Sequence, residues 1–211
     1  MYNMKVGIID LGYGNLFSIK NSLKRIISKE NIIFIKKIKQ LKKIDKIIFP
    51  GNGSIIDCFN NMKNINFLFL LRKLLITKKK PFLGICLGKQ ILFNFNKEGK
   101  TNGLGLFKGN ILKINSKKAP YIGWSKIKEI KRHKITKKIK KLIFYFSHSY
   151  YLVKTKYTYY KINYCNNNIS SIFISKNFFL LQFHPEKSSY QGLKILKNFI
   201  YDNSSFRHIQ Q

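Results

Sequence analysis

Short apolar runs of strand length alternate with helical stretches through the first part of the chain. Residues 5–10 form one such run, and the glycine turn after it leads into a segment whose apolar positions recur at helical spacing. The runs that begin at Asn31, Lys46 and Pro81 are further candidates for buried strands, and residues 54–77 read as helical. Alternation of strands and helices is typical of a parallel sheet with helices packed on its faces.

The second part of the chain has a different sequence pattern, with short aromatic and β-branched runs at regular spacing from about Gly109 onward, which predicts strands. A last amphipathic helix follows, for which Ser188 or Ser189 is the expected N-cap. The segment after Cys86, LGKQILFNF, also has helical spacing. We therefore predict one α/β domain over residues 1–211, a three-layer domain with a mainly parallel central sheet and a strand-rich C-terminal half.

The net charge of +33 raises the question of a nucleic-acid partner. All but four of the 41 basic residues are lysines, spread over the whole chain, whereas phosphate-binding surfaces usually also use arginine. Lys, Ile, Asn, Phe and Tyr are abundant together, as an AT-rich genome would produce, so we expect a solvated basic surface and no nucleic-acid partner. The absence of a long apolar run and of a leader-like start predicts no membrane contact and a cytoplasmic protein.

The three cysteines lack the spacing of a zinc site and are odd in number, so neither a metal site nor a disulfide framework is expected. Cys86 stands out because Gly84 and Gly88 bracket it at a predicted strand-to-helix turn. This is the form of a nucleophile elbow, in which small neighbours permit a tight turn and the helix N-terminus stabilises a thiolate. A buried, inert cysteine is the alternative, and we assign that role to Cys58 and Cys165.

A thiol nucleophile needs a base, and the sequence QFHPE places His184 at the end of an apolar run with Glu186 two residues later. A carboxylate in that position can orient the imidazole and stabilise the imidazolium. An isolated histidine at a strand end is more often a satisfied polar residue. The chain has only eight acidic residues, however, which makes the neighbouring glutamate informative.

The turn PGNG follows the third predicted strand and offers the backbone amides of Gly51, Asn52 and Gly53 for binding an oxyanion. An ordinary glycine turn is the alternative. In an open α/β sheet the carboxyl ends of the strands form the ligand crevice, and both this turn and Cys86 lie at such ends. The three motifs are thus expected at one edge of the sheet.

Together, GICLGKQ, PGNG and QFHPEKS resemble the class I, triad-type glutamine amidotransferases along the whole chain. Within that superfamily, DLGYGNLFSI, APYIGWS, FYFSHSYY and HPEKSSYQGLKILKNF resemble the glutaminase subunits of imidazole glycerol phosphate synthases. Glutaminase subunits of anthranilate or aminodeoxychorismate synthases are the nearest alternative, and IGWS and HSYY argue against them. A stand-alone thiol hydrolase and a basic RNA-binding protein without catalysis remain as alternatives from other classes.

The resemblance implies that Cys86 attacks the side-chain amide of glutamine, with His184 and Glu186 completing the triad, and it implies no cofactor. Ammonia would pass to a barrel-shaped cyclase subunit, with which the chain would form a heterodimer. The site residues that it implies are the oxyanion amides of Gly51, Gly53 and Leu87, the glutamine-binding residues Gln90, Glu98, His148 and Ser149, and the partner-contact residues Asn15, Trp124, Tyr145 and Lys187. Core packing is the alternative role for Trp124.

Four positions depart from the family pattern. Asn52 replaces a small apolar residue, and Tyr121 and Ser125 replace a histidine and an asparagine. Lys89 stands where an apolar or uncharged residue is common. We hypothesise that Lys89 has a small stabilising effect on the Cys86 thiolate, or else that it faces solvent, since a cation in a first helical turn opposes the helix dipole.

Overall fold

Four strands linked by helices form the first part of the fold. The computed structural model describes residues 4–12, 14–51, 53–60 and 62–202. In chain order the first elements are β1 (Val6–Ile9), α1 (Leu16–Lys24), β2 (Ile32–Ile35), β3 (Lys46–Phe49), α2 (Ile55–Asn60), α3 (Met62–Lys78) and β4 (Phe82–Ile85). Their strands are short and almost fully buried, as expected of a sheet that is covered on both faces.

Strands dominate the rest of the chain. They are β5 (Phe93–Asn96), β6 (Thr101–Asn102), β7 (Phe107–Lys113), β8 (Tyr121–Lys126), β9 (Lys128–Glu129), β10 (Ile143–His148), β11 (Tyr150–Leu152), β12 (Thr158–Tyr164), β13 (Asn167–Ser175) and β14 (Phe178–Leu181). Two further α-helices are α4 (Leu87–Gln90), which follows β4 after Cys86, and α5 (Ser189–Tyr201) near the end. Short 3-10 helices lie between the other elements, among them Ile38–Lys43 between β2 and β3 and Pro185–Lys187 before α5.

The central sheet has eight strands in the order β2-β1-β3-β4-β14-β13-β12-β9. The strands from β2 to β14 pair in parallel, and those from β14 to β9 pair antiparallel. A four-stranded sheet (β11-β7-β5-β6) and a two-stranded sheet (β10-β8) stand beside it. In the β4–β14 pairing Ile85 lies opposite Leu181, so the residues after these two strands emerge next to each other.

Apolar side chains fill both faces of the central sheet, as the alternation along β1 illustrates. Ile8 belongs to the cluster that includes α1 and α5, and Ile9 belongs to the cluster that includes α2 and α3. The sheet therefore lies between two layers, which agrees with the predicted three-layer α/β fold. None of the helices in the described ranges is long and apolar enough to cross a membrane.

The predicted helix after Cys86 is wrong beyond its first turn. Helix α4 ends at Gln90 and the chain enters β5 at Phe93. Phe93 is fully buried and its ring packs against Phe107 and Phe173. Strand pairing of β5 with β7 thus places this side chain in the core, and tertiary packing overrides the local helical spacing.

Candidate active site

Cys86 occupies a sharp turn between β4 and α4. Its backbone has φ 48° and ψ −102°, a conformation with positive φ that is uncommon for a residue other than glycine. The Cys86 amide donates to the carbonyl of Leu181 at 2.8 Å, and the Cys86 carbonyl accepts from the amides of Lys89 and Gln90 at 3.1 and 3.0 Å. These bonds to β14 and α4 hold the turn, and the thiol sits at the N-terminus of a helical turn.

Three glycines allow this turn to pack tightly. A Cβ on Gly84 would lie 2.6 Å from the carbonyl oxygen of Gly88, and one on Gly88 would lie 2.2 Å from that of Phe49. At Gly51 a Cβ would lie 1.9 Å from the carbonyl oxygen of Ile85. The glycines that bracket Cys86 are thus required for the backbone of the elbow, and the PGNG turn is pressed against it from β3.

His184 and Glu186 form a buried pair immediately after β14. The imidazole Nδ1 lies 2.9 Å from Glu186 Oε1, and both side chains are only 1% exposed. Glu186 also accepts a hydrogen bond from Asn15 Nδ2 at 3.4 Å. Because an ionised carboxylate can only accept hydrogen bonds, Nδ1 carries the proton in this contact.

The electrostatic environment of His184 favours the imidazolium. Burial lowers the pKa of His184, but its interactions with Cys86 and Glu186 outweigh burial and raise the pKa well above its usual value. Nε2 makes no standard hydrogen bond among the residues described, although the Cys86 sulfur is close enough to influence the ring. The arrangement suits a base that takes the proton of a thiol.

Ser188 fixes the turn that carries His184. Its hydroxyl donates to the His184 carbonyl at 2.6 Å and accepts from the Tyr145 amide at 2.9 Å. Ser188 occupies the N-cap position of α5, as predicted, but its hydroxyl makes no capping bond to that helix. Its bonds instead connect the His184 turn to β10.

A cavity of about 230 Å³ opens beside the Cys86 thiol, which is somewhat smaller than most ligand pockets. The Glu98 carboxylate accepts from the Ile55 amide at 3.3 Å, and Gln90 Nε2 donates to the Tyr150 carbonyl at 3.0 Å. The residues that line the cavity are Gly53, Cys86, Leu87, Gln90, Glu98, Pro120, Ile122, Ser147, His148, Ser149 and Tyr150. All the predicted oxyanion and glutamine-binding residues except Gly51 therefore meet at one cavity.

His148 has a different electrostatic setting from His184. Burial, and then the charge of Lys89, lower the pKa of His148 to about 3. The ring is neutral at physiological pH, and it packs edge-on against Tyr121. It is therefore a poor candidate for a charged group in the site.

Lys89 and Gln182 form a polar pair at the elbow that the motif patterns did not single out. Lys89 is fully buried, so the hypothesis that it faces solvent is wrong. Its Nζ donates to the Ser170 carbonyl at 2.5 Å and to Gln182 Oε1 at 3.1 Å, and Gln182 Nε2 lies 3.9 Å from Cys86 Sγ. Burial lowers the pKa of Lys89 to about 7. The position of Lys89 next to the elbow was the available sequence signal, but spacing alone does not give burial.

The four predicted partner-contact residues are linked through the His184 turn. The rings of Trp124 and Tyr145 are 5.9 Å apart, edge to face, and Lys187 Nζ lies 5.7 Å from the centre of the Tyr145 ring. Asn15 joins them through Glu186. Trp124 is 52% exposed, which rules out plain core packing as its role.

A metal site was not expected from the cysteine spacing. Among the described residues, no group of three or more histidine, cysteine, aspartate or glutamate side chains is placed to hold a metal ion.

Comparison with known proteins identifies relatives along nearly the whole chain. Residues 8–203 match the family model "Glutamine amidotransferase class-I". A protein of Pelagibacter ubique named imidazole glycerol phosphate synthase subunit HisH is 37% identical over 207 residues, 93% of this chain and 99% of the relative. One of the same name from Caldanaerobacter subterraneus is 39% identical over 198 residues, 92% of this chain and 96% of the relative.

Solved structures give the same fold at low sequence identity. A crystal structure of a glutamine amidotransferase has a TM-score of 0.72 at 14% identity and covers 92% of this chain and 96% of its own. A chain of PurLQS from Thermotoga maritima has a TM-score of 0.69 at 18% identity, with 93% and 97% covered. These similarities support the α/β fold.

Proposed function

The chain belongs to the class-I glutamine amidotransferase family, and from that premise we propose that it is the glutaminase subunit of an imidazole glycerol phosphate synthase. It hydrolyses glutamine to glutamate and ammonia in histidine biosynthesis. The observation that carries the assignment of the site is the buried His184–Glu186 pair, which follows β14 directly beside the Cys86 elbow. We propose that residues 1–211 form one glutaminase domain and that it works in the cytoplasm.

The first half of the reaction forms a thioester on Cys86. His184 Nε2 takes the thiol proton, and Sγ attacks the amide carbon of the glutamine side chain. The imidazolium then gives this proton to the departing nitrogen, which leaves as ammonia. Glu186 keeps Nδ1 protonated and stabilises the positive ring while it forms.

The second half hydrolyses the thioester. His184 accepts a proton from water, whose oxygen attacks the thioester carbon, and the proton passes to the departing Cys86 sulfur. Glutamate is the product, and the triad returns to its starting state. In both halves of the reaction the oxygen of the substrate carbonyl becomes negatively charged. The backbone amides of Leu87 and Gly53 are the proposed hydrogen-bond donors to this oxygen, and Gly51 supports the turn that carries Gly53.

The cavity beside Cys86 supplies the groups that hold the substrate. The Glu98 carboxylate is suited to the α-ammonium group of glutamine, because opposite charges attract strongly in a partly enclosed site. Gln90 and the backbone at His148 and Ser149 offer further hydrogen bonds along the cavity wall. A small, partly polar cavity of this kind fits an amino acid better than a polymer.

We propose that the ammonia passes to a barrel-shaped cyclase subunit in a heterodimer. The contact surface would consist of Asn15, Trp124, Tyr145 and Lys187, which lie around the turn that carries His184 and Glu186. An exposed tryptophan flanked by an aromatic ring and a cation is a favourable interface anchor. A partner at this surface could influence the triad directly.

The test is glutamine hydrolysis by the purified chain, measured as glutamate release, alone and with the cyclase subunit and its nucleotide substrate. We expect the rate to rise when both are added and to vanish with Cys86→Ala in every mixture. Activity that is independent of the partner would favour a stand-alone thiol hydrolase. A complex without glutamine-dependent turnover would contradict the proposal.

A further inference from the structure

A lysine lies buried at the nucleophile elbow, where charged residues are rarely found without a specific partner. Lys89 is fully buried in α4, three residues after Cys86. Its Nζ donates to two oxygens, the Ser170 carbonyl on β13 and Oε1 of Gln182. Both contacts use N–H donors, so they are available to the ammonium and to the neutral amine alike.

The contact with Lys89 favours one orientation of the Gln182 amide, and the longer contact of the NH₂ group with the Tyr150 carbonyl favours the same one. Because Lys89 offers N–H groups, the oxygen of the amide must face it, and the NH₂ group must face the other way. That NH₂ group lies 3.9 Å from Cys86 Sγ and 3.4 Å from the Tyr150 carbonyl. With an apolar side chain at position 89, nothing at this contact would hold the oxygen in place.

We propose that Lys89 is a positioning residue, which holds the Gln182 amide with its N–H groups directed at Cys86 so that the amide stabilises the thiolate. The proposal rests on Cys86 being the nucleophile of the proposed glutaminase. A hydrogen-bond donor aimed at the sulfur favours the charged form of the thiol. Lys89 thereby acts on the thiol through Gln182, without touching the substrate.

The geometry excludes a simple packing role for the lysine. A side chain needed only for volume would be apolar, since burial of an amine costs free energy unless it is well paired. The cost is visible in the pKa of Lys89, which burial lowers to about 7. Two other titratable groups lie nearby: His184 interacts with Cys86, and His148 interacts with Lys89 and His184. Neither imidazole makes a hydrogen bond to Gln182 among those of the described residues.

The test measures the pH dependence of Cys86 alkylation by iodoacetamide, read from the Cys86 peptide by mass spectrometry so that Cys58 and Cys165 do not interfere. With Lys89→Met we expect the midpoint pH to rise by about one unit, a tenfold loss of thiolate below the midpoint. Lys46→Met is the matched control. Lys46 is also a buried lysine that donates to two carbonyls, those of Phe199 and Asp202, and its loss should leave the midpoint unchanged.

A second comparison tests whether the effect runs through Gln182. Gln182→Met should raise the midpoint as Lys89→Met does, and the double variant should show no further rise. If Gln182→Met does not fold, Gln182→Glu replaces it, because a carboxylate accepts from Lys89 but cannot donate to Cys86, and we expect a rise at least as large. An unchanged midpoint in folded Lys89→Met or Gln182→Glu protein, or two shifts that add in the double variant, overturns the proposal.

Failure of the proposed function gives a different result. Alkylation reports on the thiol whether or not glutamine is hydrolysed. If excess glutamine does not protect Cys86 from alkylation in the partner complex, the glutaminase assignment fails. The shift caused by Lys89→Met is still measurable in that case and is judged separately.

Discussion

Glu186 acts on the triad through the 2.9 Å contact with His184 Nδ1, and with Cys86 it raises the pKa of that histidine. Replacement by glutamine keeps the shape but removes the charge that stabilises the imidazolium. We expect Glu186→Gln to lower kcat for glutamate release by about 100-fold or more, with a small change in KM. Steady-state kinetics of the partner complex measures this, and exposed Glu30 gives the matched control Glu30→Gln. Equal kcat values for the two variants would remove Glu186 from the mechanism.

Lys89 also makes stability depend on pH. Its pKa is lowered from 10.5 in the unfolded chain to about 7 in the folded one. Between these values the unfolded chain binds more protons, so the free energy of unfolding rises with pH there and this contribution is constant outside the window. From pH 7 to pH 9 we expect wild type to gain about 2 kcal/mol relative to Lys89→Met.

Urea unfolding at the two pH values measures this difference. Lys46, whose pKa burial also lowers, to about 8, is present in both proteins and cancels in the comparison. A constant difference between wild type and Lys89→Met from pH 7 to pH 9 would mean that Lys89 stays charged when folded.

Single residues differ in how well their sequence context predicted them. Cys86 and the His184–Glu186 pair were accessible because glycines, proline and spacing report directly on backbone turns. The burial of Lys89 was not predictable, since it depends on Ser170 of β13 and on Gln182 just after β14, which lie 81 and 93 residues further along the chain. Long-range contacts of this kind leave no local pattern.

At the scale of elements, α5 depends on close approach to the turn that carries the triad. A Cβ on Gly192 would lie 1.8 Å from the carbonyl oxygen of Pro185. We expect Gly192→Ala to displace α5 or the turn, to reduce the free energy of unfolding by about 2–4 kcal/mol and to lower kcat. Thermal unfolding together with glutamate release measures both effects.

The control for this helix is Lys197→Ala, an alanine substitution at an exposed position of α5. It should leave both stability and kcat close to wild type. If Gly192→Ala has the same stability and kcat as Lys197→Ala, the close packing of α5 against Pro185 contributes to neither.

The elements were predictable where periodicity and burial agree. β1, β3 and β4 are short apolar runs bounded by turns, and each is a fully buried strand. The helix predicted for the run after Cys86 was wrong beyond its first turn, because pairing of β5 with β7 and packing around Phe93 determine the conformation of this segment. Helical spacing over a few residues cannot compete with that burial.

For the whole molecule, the proposed partner surface around Trp124 is a feature that only the resemblance suggested. We expect Trp124→Ala to weaken association with the cyclase subunit by about tenfold to a hundredfold. Titration of the cyclase into the chain, followed by calorimetry, measures the Kd. Phe69→Ala is the control, because Phe69 on α3 is likewise exposed, at 64%, and is not part of the proposed surface. Equal losses for both variants would argue against a partner at the Trp124 surface.

Net charge is a property of the whole molecule that the site does not use. The chain has a net charge of +33, yet Cys86 and His184 are contacted by a few buried groups, among them Gln182 and Glu186. Exposed lysines are screened by salt, whereas buried pairs are screened much less. The chemistry of the site is therefore set locally.

The assignment of Cys86 as the nucleophile of a glutaminase is tested most directly by covalent labelling of the partner complex with the chloroketone analogue of glutamine. We predict one adduct per chain, on Cys86 and not on Cys58 or Cys165, found by peptide mass spectrometry. Excess glutamine should prevent it, and Glu186→Gln should slow it. Labelling of another residue, or labelling of Cys86 that glutamine does not affect, would contradict the assignment of Cys86 as the nucleophile of a glutaminase.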